Sequence, residues 1–169
     1  MIKSSMSALW LMIFSAVIFR ILPHPDNVTP IAALALFAGY AVVDRRMALL
    51  MPLLALLLSD VLIGFHGTMV FVYIAFVMTV LIGHFVRRYT GMMPVIIAAL
   101  GSSVLFFIVT NFGVWFMADL YSSDLSGLLQ AYVMGSPFFR NTLLGDLVFN
   151  ALFFGIFYSL QGRRAISPG

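Results

Sequence analysis

Cysteine and glutamate are absent from this 169-residue chain, and lysine occurs once, at Lys3. Charged residues make up 9% of it, against roughly 25% in a soluble domain. Each shortage excludes something. Without cysteine there is no disulfide, no thiolate nucleophile and no Cys-based metal site, and the redox compartment leaves no mark. Without charge there is too little polar surface to cover a soluble globule. What the chain has is oil: 63% hydrophobic residues and a mean hydropathy of +1.10. It reads as a single all-α transmembrane domain spanning residues 1–169.

A spanning helix needs about 20 apolar residues, with a range of roughly 17–25. Six segments present themselves: Met6–Leu22, Pro30–Val43, Met47–Phe65, Gly67–Val86, Met92–Met117 and Thr142–Leu160. The first resembles a signal peptide in having Lys3 before a greasy run. Arg20 and a proline cluster follow that run where a small-residue cleavage site would stand, so it is expected to be an uncleaved helix. Lys3, Arg45–Arg46, Arg87–Arg88 and Arg163–Arg164 fall on one side only if the number of spans is even. Basic residues favour the cytoplasmic side, so six spans with both termini in the cytoplasm are expected. Trp10 and Trp115 suit the two interfacial aromatic belts. The basic residues mark topology, so no nucleic-acid partner is implied.

The loop Ala118–Asn141 carries Leu125, Leu128, Leu129, Tyr132 and Val133 at helical spacing. Ser123 or Asp124 can cap its start, and Gly135–Ser136–Pro137 reads as a stop. The expectation is a short amphipathic helix lying on the outer face, as an interfacial anchor or as a lid.

The polar residues within the oil are unevenly placed. Asp60, Thr110, Asn111, Asp146 and Asn150 fall toward the outer ends of their segments, and His24, Asp26, Asn27, His66, Arg140 and Asn141 fall in outer loops. His84, beside Arg87 and Arg88, is the exception at the inner edge and reads as inert. A channel or proton relay would need polar groups through the full depth, since a charge at the bilayer centre costs about 2.5–3.5 kcal/mol and faces a cavity or a partner. The distribution predicts a pocket open outward and closed below by apolar packing. Segment two strengthens this. Thr29 can cap it and Pro30 can begin it. Its 14 residues give about 21 Å of helix, short of a hydrocarbon core of roughly 30 Å. The loop Pro23–Thr29 should therefore dip below the outer surface, where irregular backbone is tolerated only beside a cavity or buried in protein. Arg20 is also expected to pair with Asp60 or Asp146, Asp146 and Asn150 share one helical face, and Ala35 with Gly39 permits a close helix crossing.

No GxxxxGK[ST], HExxH or GxSxG motif is present, so no catalytic activity is expected from motifs. A metal site from His24, His66 and Asp60 is chemically conceivable, but no spacing specifies it.

The run Arg20-x-x-Pro-His-Pro-x-Asn-x-Thr-Pro, with Ala35–Gly39, Leu58–Asp60, Gly64–His66, Thr110–Trp115 and Pro137–Asp146, resembles a family of uncharacterised small bacterial six-helix membrane proteins. That family in turn resembles the S-components of energy-coupling-factor (ECF) vitamin transporters. The resemblance implies an S-component-like six-helix bundle in the bacterial cytoplasmic (inner) membrane. It also implies a ligand near the outer face, beneath the first, third and fifth loops, and a separate energising module of a transmembrane scaffold and two ATPases as partner. The Ala-x-x-x-Ala docking pattern of the first S-component helix is absent from segment one, which leaves room for a chain that works alone. The function expected is uptake of a vitamin-like molecule through a pocket of His24, Asn27, Asp60, His66, Asn111, Arg140, Asn141, Asp146 and Asn150. A corrinoid is one candidate, since His24 or His66 could offer imidazole to cobalt. The alternatives are a metal-dependent membrane enzyme using His24, Asp60, His66 and Asp146, and a structural or assembly subunit whose polar groups only join helices.

Overall fold

A computed structural model describes residues 6–166, with side chains from Trp10 to Ser159. The topology signal at Lys3 and the side chains of Arg163 and Arg164 lie outside these limits. The described chain is all-helical: α1 Met6–Ile21, α2 Ile31–Ala41, α3 Arg45–Ile63, α4 Met69–Val86, α5 Met92–Met117 and α6 Leu125–Ile166. Four of them, α3 to α6, are long and apolar enough to cross a membrane; α1 and α2 are shorter apolar helices.

Local chemistry sets the boundaries. Pro23 follows α1 and disfavours helix at Leu22. Asp44 caps α3, accepting from the Arg46 N–H at 2.8 Å and the Met47 N–H at 3.3 Å. Gly64 ends α3 at φ 116° and Gly91 precedes α5 at φ 92°, conformations that a side chain would strain. Segment five agrees with α5 to the residue. Segment two is shorter than expected, and its cap is different. Pro30 occupies the N-cap, the Thr29 side chain makes no capping bond, and the first intrahelical bond runs from Leu34 N–H to Pro30 O at 2.8 Å.

The largest correction concerns α6. The short outer-loop helix and segment six are one helix of 42 residues, continuous through Gly135–Ser136–Pro137. Pro137 has no N–H for the carbonyl of Val133, four residues back. The Ser136 hydroxyl donates to that same oxygen at 2.8 Å. The residue read as part of a stop thus restores the missing hydrogen bond. The start of the helix is as expected: Asp124 Oδ1 accepts from the Gly127 N–H at 2.8 Å and from the Ser122 hydroxyl at 2.7 Å. The backbone bond from Gly127, then the Ser122 hydroxyl, hold the Asp124 carboxyl below the usual carboxylate range.

Leu125, Leu129 and Val133 are exposed, whereas Gly127, Ala131 and Gly135, four residues apart, are buried. Helices in lipid approach each other through small residues, and their large apolar side chains are left facing outward.

α2 is the axis of the bundle. It touches every other helix, and only Ala32 and Tyr40 among its residues escape full burial. Its closest neighbour is α4. A Cβ on Gly39 would collide with the Val80 carbonyl, and one on Gly83 with the Leu36 carbonyl, so the two backbones cross in contact. Toward its C-terminal end α2 is packed in aromatic rings: Phe37 meets Phe154 and Phe157 edge-on at centroid distances of 5.3 and 5.6 Å, and Tyr40 meets Phe154 at 5.0 Å. At 11 residues α2 is about 17 Å long, whereas α4 and α5, of 18 and 26 residues, run about 27 and 39 Å. The axis is filled along only part of the bundle.

Candidate functional site

Where α2 stops, a cavity of about 700 Å³ begins. Ile31 and Ala32, the first residues of α2, form part of its wall, and the helices that surround α2 continue past it to form the rest. α3 contributes Leu56 and Ile63, α4 Val72 and Phe76, and α5 Phe106, Phe107, Thr110 and Asn111. From α6 come Ala131, Gly135, Phe138, Phe139, Thr142 and Asp146. Arg20, His24, Asn27 and Thr29 enter from the end of α1 and the proline-rich connection.

That connection is fixed by short-range bonds. Val28 N–H bonds to Pro25 O at 3.0 Å, closing a turn with Asn27 at φ 62°, a left-handed conformation that Asn tolerates better than most residues. A Cβ on Gly145 would stand 3.2 Å from Val28 Cα, so the turn is seated on α6. His24 Nδ1 lies 2.6 Å from Leu22 O. A carbonyl only accepts, so Nδ1 carries the hydrogen and neutral His24 keeps a lone pair at Nε2.

Arg20 and Asp60 form the ion pair anticipated from sequence. Arg20 Nη1 is 2.5 Å from Asp60 Oδ1 and also reaches Ser59 Oγ at 2.5 Å. The Tyr73 hydroxyl donates to Asp60 Oδ2 at 3.0 Å. Both oxygens of this buried carboxylate are therefore occupied, joining α1, α3 and α4. Asp146 is equally buried, at 3% exposure, but its surroundings differ. The Ser103 hydroxyl lies 2.6 Å from its Oδ2 and 2.9 Å from Ala99 O, with one hydrogen between the two, and among the described residues no cation pairs with Asp146.

Of the nine residues expected to form the pocket, the structure brings together His24, Asn27, His66, Asn111 and Asp146. Four are placed elsewhere. Asp60 stands behind Arg20, outside the lining. Arg140 is exposed and Asn141 half-buried, because the helix turns them away from the lining residues Phe138, Phe139 and Thr142. Asn150 lies one turn beyond Asp146, where its Nδ2 donates to the Asp146 main-chain oxygen at 2.8 Å. Among the described residues no group of three or more His and Asp side chains is close enough to hold a metal ion, so His24, His66, Asp60 and Asp146 do not converge. The phenylalanines Phe76, Phe106, Phe107, Phe138 and Phe139 were not anticipated.

The segment read as an anchor or lid is part of the wall. Tyr132 donates from its hydroxyl to Ile108 O at 3.0 Å, and Trp115 Nε1 donates to Ser122 O at 2.9 Å, tying the start of α6 to the end of α5. A Cβ on Gly135 would strike the Asn111 amide, so glycine there is what lets Asn111 lie between the two helices.

The chain belongs to the family of unknown function DUF6580, whose model matches residues 1–167. Comparison with curated proteins and with solved structures gives no match.

Proposed function

We propose that this chain is a substrate-binding membrane transport protein of S-component type, taking a vitamin-like small molecule into a cavity that opens outward from a bacterial cytoplasmic membrane. The observation that carries this reading is the cavity at the end of α2. Small-molecule sites are typically concave, about 300–1,000 Å³ in volume, mostly apolar and set with a few polar groups. This cavity has about 700 Å³, a wall rich in phenylalanine, and Asn111, Thr142 and Asp146 within it. Beyond it the axis is packed by α2, so the bundle offers a receptacle with a floor and no continuous pore.

Charge supports the orientation. Arg45 and Arg46 begin α3 and Arg87 and Arg88 follow α4, at the ends remote from the lining residues Ile63 and His66. Basic residues favour the cytoplasmic side, which puts the cavity outside and, with six spans, both termini inside. An energising module is the partner this reading calls for.

The test is recovery of the ligand. The protein is isolated in lipid nanodiscs without detergent exchange, and bound small molecules are identified by mass spectrometry. A near-stoichiometric compound, lost in Ala32→Phe while the fold persists, is the expected result. A preparation free of small molecules, from a strain whose growth and vitamin requirement are unchanged by deletion of the gene, would sink the proposal.

A further inference from the structure

We infer that the cavity takes a ligand bearing a cationic, hydrogen-bond-donating nitrogen, a protonated amine or amidine on an aromatic or apolar body, anchored by Asp146. This rests on the binding reading above and names the class of ligand.

The cavity wall holds one carboxyl group with no cationic partner among the described residues, beside hydroxyls whose hydrogens are already used. Two ionisable groups of opposite kind line the cavity, basic Arg20 and acidic Asp146. The positive one is already neutralised, since Arg20 Nη1 is held by Asp60 and Ser59. The acidic one is not: the single Ser103 hydroxyl hydrogen is shared between Asp146 Oδ2 at 2.6 Å and Ala99 O at 2.9 Å, and no cation pairs with Asp146 among the described residues. A buried carboxylate is stable when paired and hydrogen-bonded, and costly when it is not. His24 and His66 are the other titratable groups facing the cavity besides Tyr121, and each imidazole is engaged through Nδ1, with Leu22 O and with Thr68 Oγ1 at 3.0 Å.

The other polar groups of the α5–α6 wall show the same bias. Thr110 donates its only hydroxyl hydrogen to Phe106 O at 2.8 Å, and Thr142 donates its own to Phe138 O at 3.0 Å. Both can then only accept. Asn111 gives one amide hydrogen to Phe107 O at 2.8 Å and keeps its carbonyl and its second amide hydrogen. The α5–α6 wall is thus dominated by acceptors, which a donor-bearing cation satisfies and a carboxylate or phosphate does not. Phenylalanine faces on the same wall add cation–π attraction for such a group and area for an apolar body.

The test uses matched probes on the full-length protein in detergent. Tryptamine, tryptophol and indole-3-acetate share a ring and differ in charge. Their affinities are measured by titrated thermal shift for the wild-type protein and for Asp146→Asn. Tryptamine should bind about tenfold or more tightly than the other two, as one charge-assisted hydrogen bond in a buried site provides. Asp146→Asn should remove that preference, and Asp146→Glu should retain part of it. Equal binding of the alcohol or the carboxylate, or a preference that survives Asp146→Asn, overturns the inference and leaves the cavity as a binding site. So does tight retention of hydroxocobalamin that depends on His24. The wild-type comparison among probes stands even if Asp146→Asn does not fold. A natural ligand recovered in nanodiscs without a basic nitrogen also overturns it, and no ligand of any kind overturns both readings.

Discussion

The two halves of the bundle axis are built from the same kinds of side chain and end differently. In one half α2 occupies the centre, and Phe154 and Phe157 of α6 close on its Phe37 edge to face. In the other half α2 has ended, and Phe76, Phe106, Phe107, Phe138 and Phe139 surround open volume. Aromatic content does not separate a packed core from a receptacle. The reach of one 11-residue helix does.

Four perturbations break or sharpen this contrast, in falling order of effect. Arg20 is the seam between the halves, partnering buried Asp60 and lining the cavity. Arg20→Ala leaves Asp60 unpaired and should cost about 3–5 kcal/mol, whereas Arg20→Met with Asp60→Leu should recover most of it. Denaturation midpoints in detergent decide, and a double variant no better than the single one would show that more than the ion pair is lost. Next comes the filled half. Gly39→Ala sets a Cβ against the Val80 carbonyl, backbone that cannot step aside, so a loss of about 3 kcal/mol or more is expected. The open half should respond in the opposite way. Ala32→Leu adds carbons where there is room, so stability should change by less than about 1 kcal/mol while ligand binding is blocked. Equal destabilisation by the two substitutions would mean that the halves are not different after all.

The smallest effect is expected at the rim. Asp124 caps α6 and its carboxyl titrates below the ordinary range, so the folded state favours the ionised form. That contribution is present above the unfolded value of about 3.9 and is lost as pH falls through the lower folded value. Asp124→Ala should lower the melting midpoint slightly at neutral pH and converge with the wild type under acid. A gap that persists at pH 2 would refute a role for the ionised cap.

The fold was legible wherever a long apolar run met polar punctuation, which is why Met92–Met117 matches to the residue. It was misread where punctuation carries a second meaning. Gly-Ser-Pro ends most helices, but Ser136 supplies the hydrogen bond that Pro137 withholds, and Gly135 makes room for Asn111. The stripe from Leu125 to Val133 reads as a separate helix lying on the outer face; it is exposed, but on the first turns of α6, whose small residues Gly127, Ala131 and Gly135 turn inward. For the site, His24, Asn27, Asn111 and Asp146 stood out as polar groups in oil. Partner choice could not be read, because Asp60 and Asp146 were equally open to Arg20 until the helices were placed in space. The lining phenylalanines gave no signal, since a chain with 17 of them makes none conspicuous.

The unbroken α6 has a mechanical consequence. One rod carries Gly135 and Phe139 at the cavity and Phe157 and Tyr158 at the far end, where the Tyr158 hydroxyl lies 2.8 Å from that of Tyr40. Its main-chain ladder lacks a rung at Pro137, and a serine hydroxyl is a more compliant substitute than a peptide N–H. The rod is therefore weakest beside the mouth of the cavity. A bend there would strain the Tyr132–Ile108 and Trp115–Ser122 bonds that hold the first turns of α6 to α5, and would leave the aromatic packing around α2 undisturbed.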